Sequence, residues 1–260
     1  MAAVSYRNGI AILQLIVFPI ILVAAIFIWK RTGWRQGSKI WRYAVTLSLI
    51  RIAGSISSLL TISNDSRNIK VAVAVCQLIG IAPLLLTFIG LLRQIDVEKR
   101  MPPRPMALLT LVTLIALILG IAGVHSSSSN DGSYRPSKLS KVAMGIFLAV
   151  FVVFVLLGVW LFYELSFSLR RFQKKLFLAI ALSTPLLAVR LVYSALSDYT
   201  TLSSFALDGN TTVYLCMDVL EEIIAMGITM ALGISAILEK DFVKLTPASQ
   251  EDTEPKPMGV

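Results

Sequence analysis

Apolar side chains fill seven long runs of the chain, each broken by few polar positions and separated from the next by a polar stretch. The runs are Ile10–Trp29, Ile40–Ile62, Val71–Leu92, Met106–Val124, Val142–Glu164, Leu176–Ser197 and Thr212–Leu238. Each is close to or above the roughly 17–25 residues that cross a bilayer as a helix. Backbone groups in lipid must be paired within their own segment, so the runs predict helices rather than strands. The expectation is an all-α bundle of seven transmembrane helices over residues 1–238, followed by a cytosolic, largely disordered tail over 239–260. Short connections make successive helices antiparallel neighbours.

Polar positions inside the runs are unevenly shared. The second run holds Ser48, Arg51, Ser55 and Ser58 at spacings of three and four, hence on one helix face. The sixth holds Ser183, Arg190, Tyr193, Ser194 and Ser197, and the seventh Tyr214, Asp218, Glu221, Glu222 and Thr229. Gln14 and Gln77 add one amide each to the first and third runs, whereas the fourth and fifth are almost purely apolar until Glu164. These positions predict a polar core between helices two, three, six and seven. On the seventh helix, Tyr214, Asp218, Glu221 and Thr229 read as one stripe with Glu222 beside it.

A charge at bilayer depth costs about 2.5–3.5 kcal/mol even on lenient insertion scales, so five such residues should face one another or water. Helical rise places Arg190 about 10 Å and Asp218 about 9 Å below the outer ends of their helices. Arg51 comes about 16 Å down, and Glu221 and Glu222 about 14–15 Å. The depths predict pairing of Arg190 with Asp218 and of Arg51 with one glutamate. Three acids against two bases leave one carboxyl without a cation, and low dielectric favours its neutral, proton-donating form.

Composition adds direction. The chain is 56% hydrophobic, with a net charge of +9 and a mean hydropathy of +0.78. Sixteen of the 24 Lys and Arg fall on one side of the expected membrane, from Lys30, Arg31, Arg35, Lys39 and Arg42 onward, and six on the other. That asymmetry places the N-terminus outside and the C-terminus in the cytosol. It explains the basic balance without a nucleic-acid partner. Two glycosylation sequons, at Asn64 and Asn210, both fall in loops assigned to the outside. The first run reads as an anchor rather than a cleaved leader, because its basic cluster follows it. The endoplasmic reticulum or the plasma membrane is the expected location.

Other motifs change little. Pro19, Pro83 and Pro185 are expected to kink helices one, three and six. Met101-Pro-Pro-Arg-Pro reads as a stiff spacer, and the serine-rich stretch begun by His125 as a flexible loop. Cys76 and Cys216, at similar depth, read as buried free thiols with a disulfide as the alternative. One histidine and two cysteines argue against a soft-metal site. The Asp218, Glu221, Glu222 spacing would suit a hard cation, but the nearby arginines are the better partners. No metal and no cofactor are expected. Gly120, Gly123, Gly227 and Gly233 read as close-packing positions between membrane helices. The seventh run has no lysine for a retinal Schiff base and no Asn-Pro-x-x-Tyr, which removes two receptor-like classes.

The chain resembles a family of uncharacterised fungal seven-helix membrane proteins. The resemblance rests on Ser5-Tyr6-Arg7 with Gly9, Arg51-Ile52 with Gly54, Thr61 through Asn64, and Gln77 followed by Gly80 and Pro83. Arg190-Leu191 with Tyr193-Ser194, and Glu221-Glu222, complete it. More loosely, the chain is similar to fungal lipid-translocating exporters, which implies handling of amphipathic lipids. Three functions are therefore expected. The first is binding or transport of a small lipid- or isoprenoid-like amphipath in an outward-facing pocket lined by Arg51, Ser55, Gln77, Arg190, Tyr193, Asp218, Glu221 and Glu222. The second is an intramembrane terpene cyclase or isomerase with Asp218, Glu221 and Glu222 as its catalytic acids. The third is a scaffold whose charges only fix packing.

Overall fold

The computed structural model describes residues 6–33, 40–61, 73, 75–76, 79–96, 100–127, 137–166, 169–200 and 211–242. Asn64, Gln77 and Asn210, and the tail beyond Phe242, lie outside these residues. The helices are α1 (Tyr6–Thr32), α2 (Trp41–Leu60), α3 (Ile81–Ile95), α4 (Pro103–Ser127), α5 (Lys138–Leu165), α6 (Arg171–Tyr199) and α7 (Thr211–Ile237). Six of them are long and apolar enough to cross a membrane, and α3 is a shorter apolar helix. The described residues contain no strand.

Each helix packs against its neighbours in sequence, and α1 also packs against α7, so the bundle closes on itself. The short α3 touches α2, α4, α5 and α6. Every α3 residue except Arg93 is buried, which makes α3 the enclosed helix that the others surround. Outer helices turn their apolar side chains outward: Ile12, Ile16, Ile20 and Val23 on α1, and Leu108, Leu111, Ile115 and Ile118 on α4, are exposed. Steps of three and four put each set on one face, the inside-out pattern of helices solvated by lipid.

Local chemistry sets the helix ends and moves some of them from their expected places. The third helix was expected over Val71–Leu92; the described residues Val73, Val75, Cys76 and Ile79 are helical, a turn falls at Gly80, and a regular helix runs from Ile81 to Ile95. Pro83 offers no N–H to the carbonyl four residues back, at Ile79, and its ring crowds that position, so one helical hydrogen bond is lost there while Gly80 keeps right-handed helical dihedrals. Pro83 thus lies in the first turn of α3, whereas Pro19 and Pro185 are carried inside unbroken helices. The expected proline spacer is also a helix start: α4 begins at Pro103, where proline's fixed φ suits a first helical position. At its other end α4 continues through His125 to Ser127, beyond the expected loop boundary.

Polar clasps hold one end of the bundle. Asp96 accepts hydrogen bonds from the backbone N–H groups of Arg100 and Met101, closing the α3–α4 connection. The α6 start is tied by Gln173 Nε2 to the Ile95 carbonyl at 2.9 Å and by the Arg171 N–H to Asp241 at 2.8 Å. Lys175 pairs with Glu239 just past α7. At the opposite end Ser137 caps α5, and Ser140 donates to the buried Asp198 of α6 at 2.9 Å.

Candidate functional site

Four helical positions converge in the interior. Arg51 on α2, Arg190 on α6, and Asp218 and Glu222 on α7 are each at most 4% exposed. Arg51 donates through both Nε and Nη2 to the two Glu222 oxygens, at 2.6 and 2.5 Å. This is the bidentate fork that makes arginine–carboxylate pairs strong. Arg190 Nη1 reaches Glu222 Oε2 at 2.5 Å and Asp218 Oδ1 at 2.9 Å, and donates to the Asp218 main-chain carbonyl at 2.8 Å. Asp218 Oδ2 lies 3.9 Å from Arg51 Nη2. Glu222 therefore joins both cations, and two carboxylates balance two guanidinium groups.

The pairs expected from depth are present, but the two glutamates differ in role. Glu221 is half-buried, and no described cation lies within ion-pair distance of it; its Oε2 is buried without a hydrogen-bond partner. The stripe expected to include Glu221 includes Glu222 instead. A regular helix turns about 100° per residue, so positions 214, 218 and 222 would drift about 40° at each step. A π turn spans Leu215–Val219, and its i→i+5 bonds reduce the rotation per residue. The drift is taken out, which brings Tyr214, Asp218 and Glu222 toward one line and leaves Glu221 at its edge.

Gly80 is a site residue that sequence reading passed over. A Cβ at this position would overlap Arg51 Nη2 and stand 3.0 Å from Arg190 Nη2. Only a residue without a side chain lets the start of α3 lie against both guanidinium groups. Gly54 performs a similar task one turn from Arg51, where a Cβ would come 2.9 Å from Cys76 Cβ. Of the glycines expected to mediate close packing, Gly123 and Gly233 do so against Ser140 and Trp41, while Gly120 is in ordinary contact and Gly227 faces open space.

A small cavity of about 20 Å³ adjoins the network, lined by Ile10, Ala11, Gln14, Ile50, Arg51, Gly54, Ser58, Cys76 and Tyr214. That is room for a water molecule. Ser55 Oγ bridges from the Arg51 carbonyl at 2.8 Å to Gln14 Oε1 at 3.2 Å, linking α2 to α1 beside the cavity. Tyr193 is buried on α6. Cys76 and Cys216 are both free thiols; Cys76 is half-buried and Cys216 is exposed rather than buried. Among the described residues no three metal-ligating side chains gather.

Four unpartnered polar atoms belong to this region: Arg190 Nε and Nη2, Asp218 Oδ2 and Glu221 Oε2. A network serving only to lock helices together would normally satisfy its buried atoms, because each unmet group costs about 1–3 kcal/mol. The fold and site together define a multi-pass helical membrane protein organised around a buried arginine–carboxylate network. The chain belongs to the family described as "Domain of unknown function (DUF7702)", whose model matches residues 4–240. No curated protein and no solved structure matches it.

Proposed function

We propose that this protein binds, and in cycling carries, a small amphipathic molecule whose polar head engages the Arg51–Arg190–Asp218–Glu222 network. The head enters from the N-terminal face, read as the lumenal side of the endoplasmic reticulum or the outer side of the plasma membrane, while the tail stays among the lipid-facing side chains. Fungal lipid handling or specialised metabolism is the setting that the sequence resemblance favours. The observation that carries the reading is a fully buried network left part-satisfied, beside a cavity that reaches Arg51. The cavity is of water size, so the head binds as the ends of α1, α2 and α7 part. A cyclase would need a chamber of several hundred Å³ to enclose its substrate. The described cavity of about 20 Å³ lies beside Arg51 and Tyr214 and is not such a chamber.

Cys76 lines the cavity and offers a reporter. In a Cys216→Ser background, a small charged thiosulfonate reagent added to the N-terminal face should label Cys76. Octanoate, octyl phosphate, octyl glucoside and octyltrimethylammonium should then be compared for slowing that labelling and for raising the thermal unfolding midpoint in nanodiscs. At least one should do both, and Arg190→Ala or Glu222→Ala should abolish the rise. Equal stabilisation of wild type and both variants would overturn the proposal.

A further inference from the structure

We infer that the head group is a single anion, a carboxylate or phosphate, held on the Nε/Nη2 edge of Arg190, and that its binding loads one proton onto Asp218. The inference rests on the binding reading above and specifies its ligand chemistry. Arg51 and Arg190 use opposite edges of the same group. Arg51 presents Nε and Nη2 to Glu222, whereas Arg190 makes all its recorded contacts through Nη1. Its Nε and Nη2 have no hydrogen-bond partner although the residue is only 1% exposed. Those two donors form the parallel fork that fits two oxygens of a carboxylate or phosphate. A cationic or purely hydroxylic head would leave that fork unmet.

Charge balance supplies the proton. Arg51, Arg190, Asp218 and Glu222 sum to zero when both acids are ionised, and Glu221, the third acid, stands half-buried at the edge of this set without an ion pair to a described cation. A monoanion added at this depth would make the group negative where charge is costly. Asp218 can compensate: its Oδ2 has no hydrogen-bond partner and lies 3.9 Å from Arg51 Nη2, while Arg190 is paired with Oδ1. An O–H bond forms at Oδ2 as the bond between that proton and its donor, hydronium or a buffer acid of the aqueous phase, breaks. Glu222 cannot take this role without losing three short contacts to two guanidinium groups.

The other ionisable groups near this point do not replace Asp218. Arg51 on α2 stays a cation. Tyr214 on α7, Tyr193 on α6 and Cys76 ahead of α3 are neutral groups that already carry their protons, and Glu221 on α7 lies half-buried at the edge of the stripe with no ion pair to a described cation. On α6, Asp198 is held by Ser140 of α5, and Tyr199 donates to the Lys141 carbonyl of α5, both more than two turns from Arg190; α3 carries only Arg93, at its far end.

The test uses octanesulfonate, an anion that carries no titratable proton of its own, with protein in nanodiscs. Calorimetry in buffers of different ionisation enthalpy should show uptake of about one proton per bound sulfonate, and affinity should fall by up to about tenfold per pH unit as pH rises. In Asp218→Asn, which mimics the protonated acid, uptake and pH dependence should both vanish. Arg190→Lys, which keeps the charge but removes the fork, should weaken binding roughly tenfold or more. Sulfonate binding without proton uptake in the wild-type protein would overturn the inference, and that measurement depends on no variant. Equal binding of octyl glucoside or octyltrimethylammonium would also overturn it while leaving the binding reading intact. If none of the three probes binds, both readings fall.

Discussion

Glu221 and Glu222 are adjacent in sequence and opposite in circumstance. Glu222 accepts three short contacts from two arginines, whereas Glu221 lies half-buried with no described cation in reach. Removing one partner of a buried pair leaves the remaining charge uncompensated, at a cost of about 3–5 kcal/mol. Glu222→Gln should therefore lower unfolding free energy by about that amount in mixed micelles, and Glu221→Gln by less than about 1 kcal/mol. Equal losses would show that both acids carry the network. The sequence made the five charges conspicuous and their depths gave the pairs, because rise per residue is nearly constant. It did not reveal which glutamate sits in the stripe, since that follows from a π turn that adds no signature to the polar pattern. Tyr214 was legible on the stripe from its spacing, whereas Gly80 was obscured, because a glycine in a membrane helix usually reports only packing.

Among the elements, α3 is the one whose expected span carries an interruption, the turn at Gly80, and that turn matters to the site. Hydropathy places the span where apolar residues are densest, but it cannot distinguish one helix from two segments meeting at Gly80 and Pro83. The other six spans were legible because long apolar runs in lipid have only one local solution. Their ends moved by a few residues, toward prolines and polar clasps that hydropathy averages away. Two glycine substitutions test the turn. Gly227 faces open space, so Gly227→Ala should be neutral or stabilise α7 by up to about 1 kcal/mol through helix propensity. Gly80→Ala should destabilise by about 1–3 kcal/mol, because the added methyl group overlaps Arg51 Nη2 and crowds Arg190. Thermal unfolding of the pair in matched micelles gives the contrast. A stabilised Gly80→Ala would mean that α3 does not press on the arginines.

For the whole molecule, the side of the membrane facing the N-terminus decides what the charged network can meet. Arg51 lies nine residues before the end of α2, and Asp218 seven residues after the start of α7. At 1.5 Å per residue both are about 10–14 Å from the end of the bundle that holds the N-terminus of α1. Among the described residues, most Lys and Arg lie toward the opposite end, including Lys30, Arg31, Arg42, Arg93, Arg170 and Arg171. Positive loops are retained in the cytosol, so the network should lie in the outer half and exchange with the lumen or cell exterior. A glycosylation tag fused ahead of Met1 should be modified, and the same tag after Val260 should not. The reverse pattern would invert the protein and turn the cavity beside Arg51 toward the cytosol. Cys76 must then label from the cytosolic face and be shielded from the outside, so tag and thiol report the same orientation by independent chemistry. Disagreement between them would mean that the cavity is reached through the lipid or from the far end, and the entry route assigned to the head group would have to be abandoned.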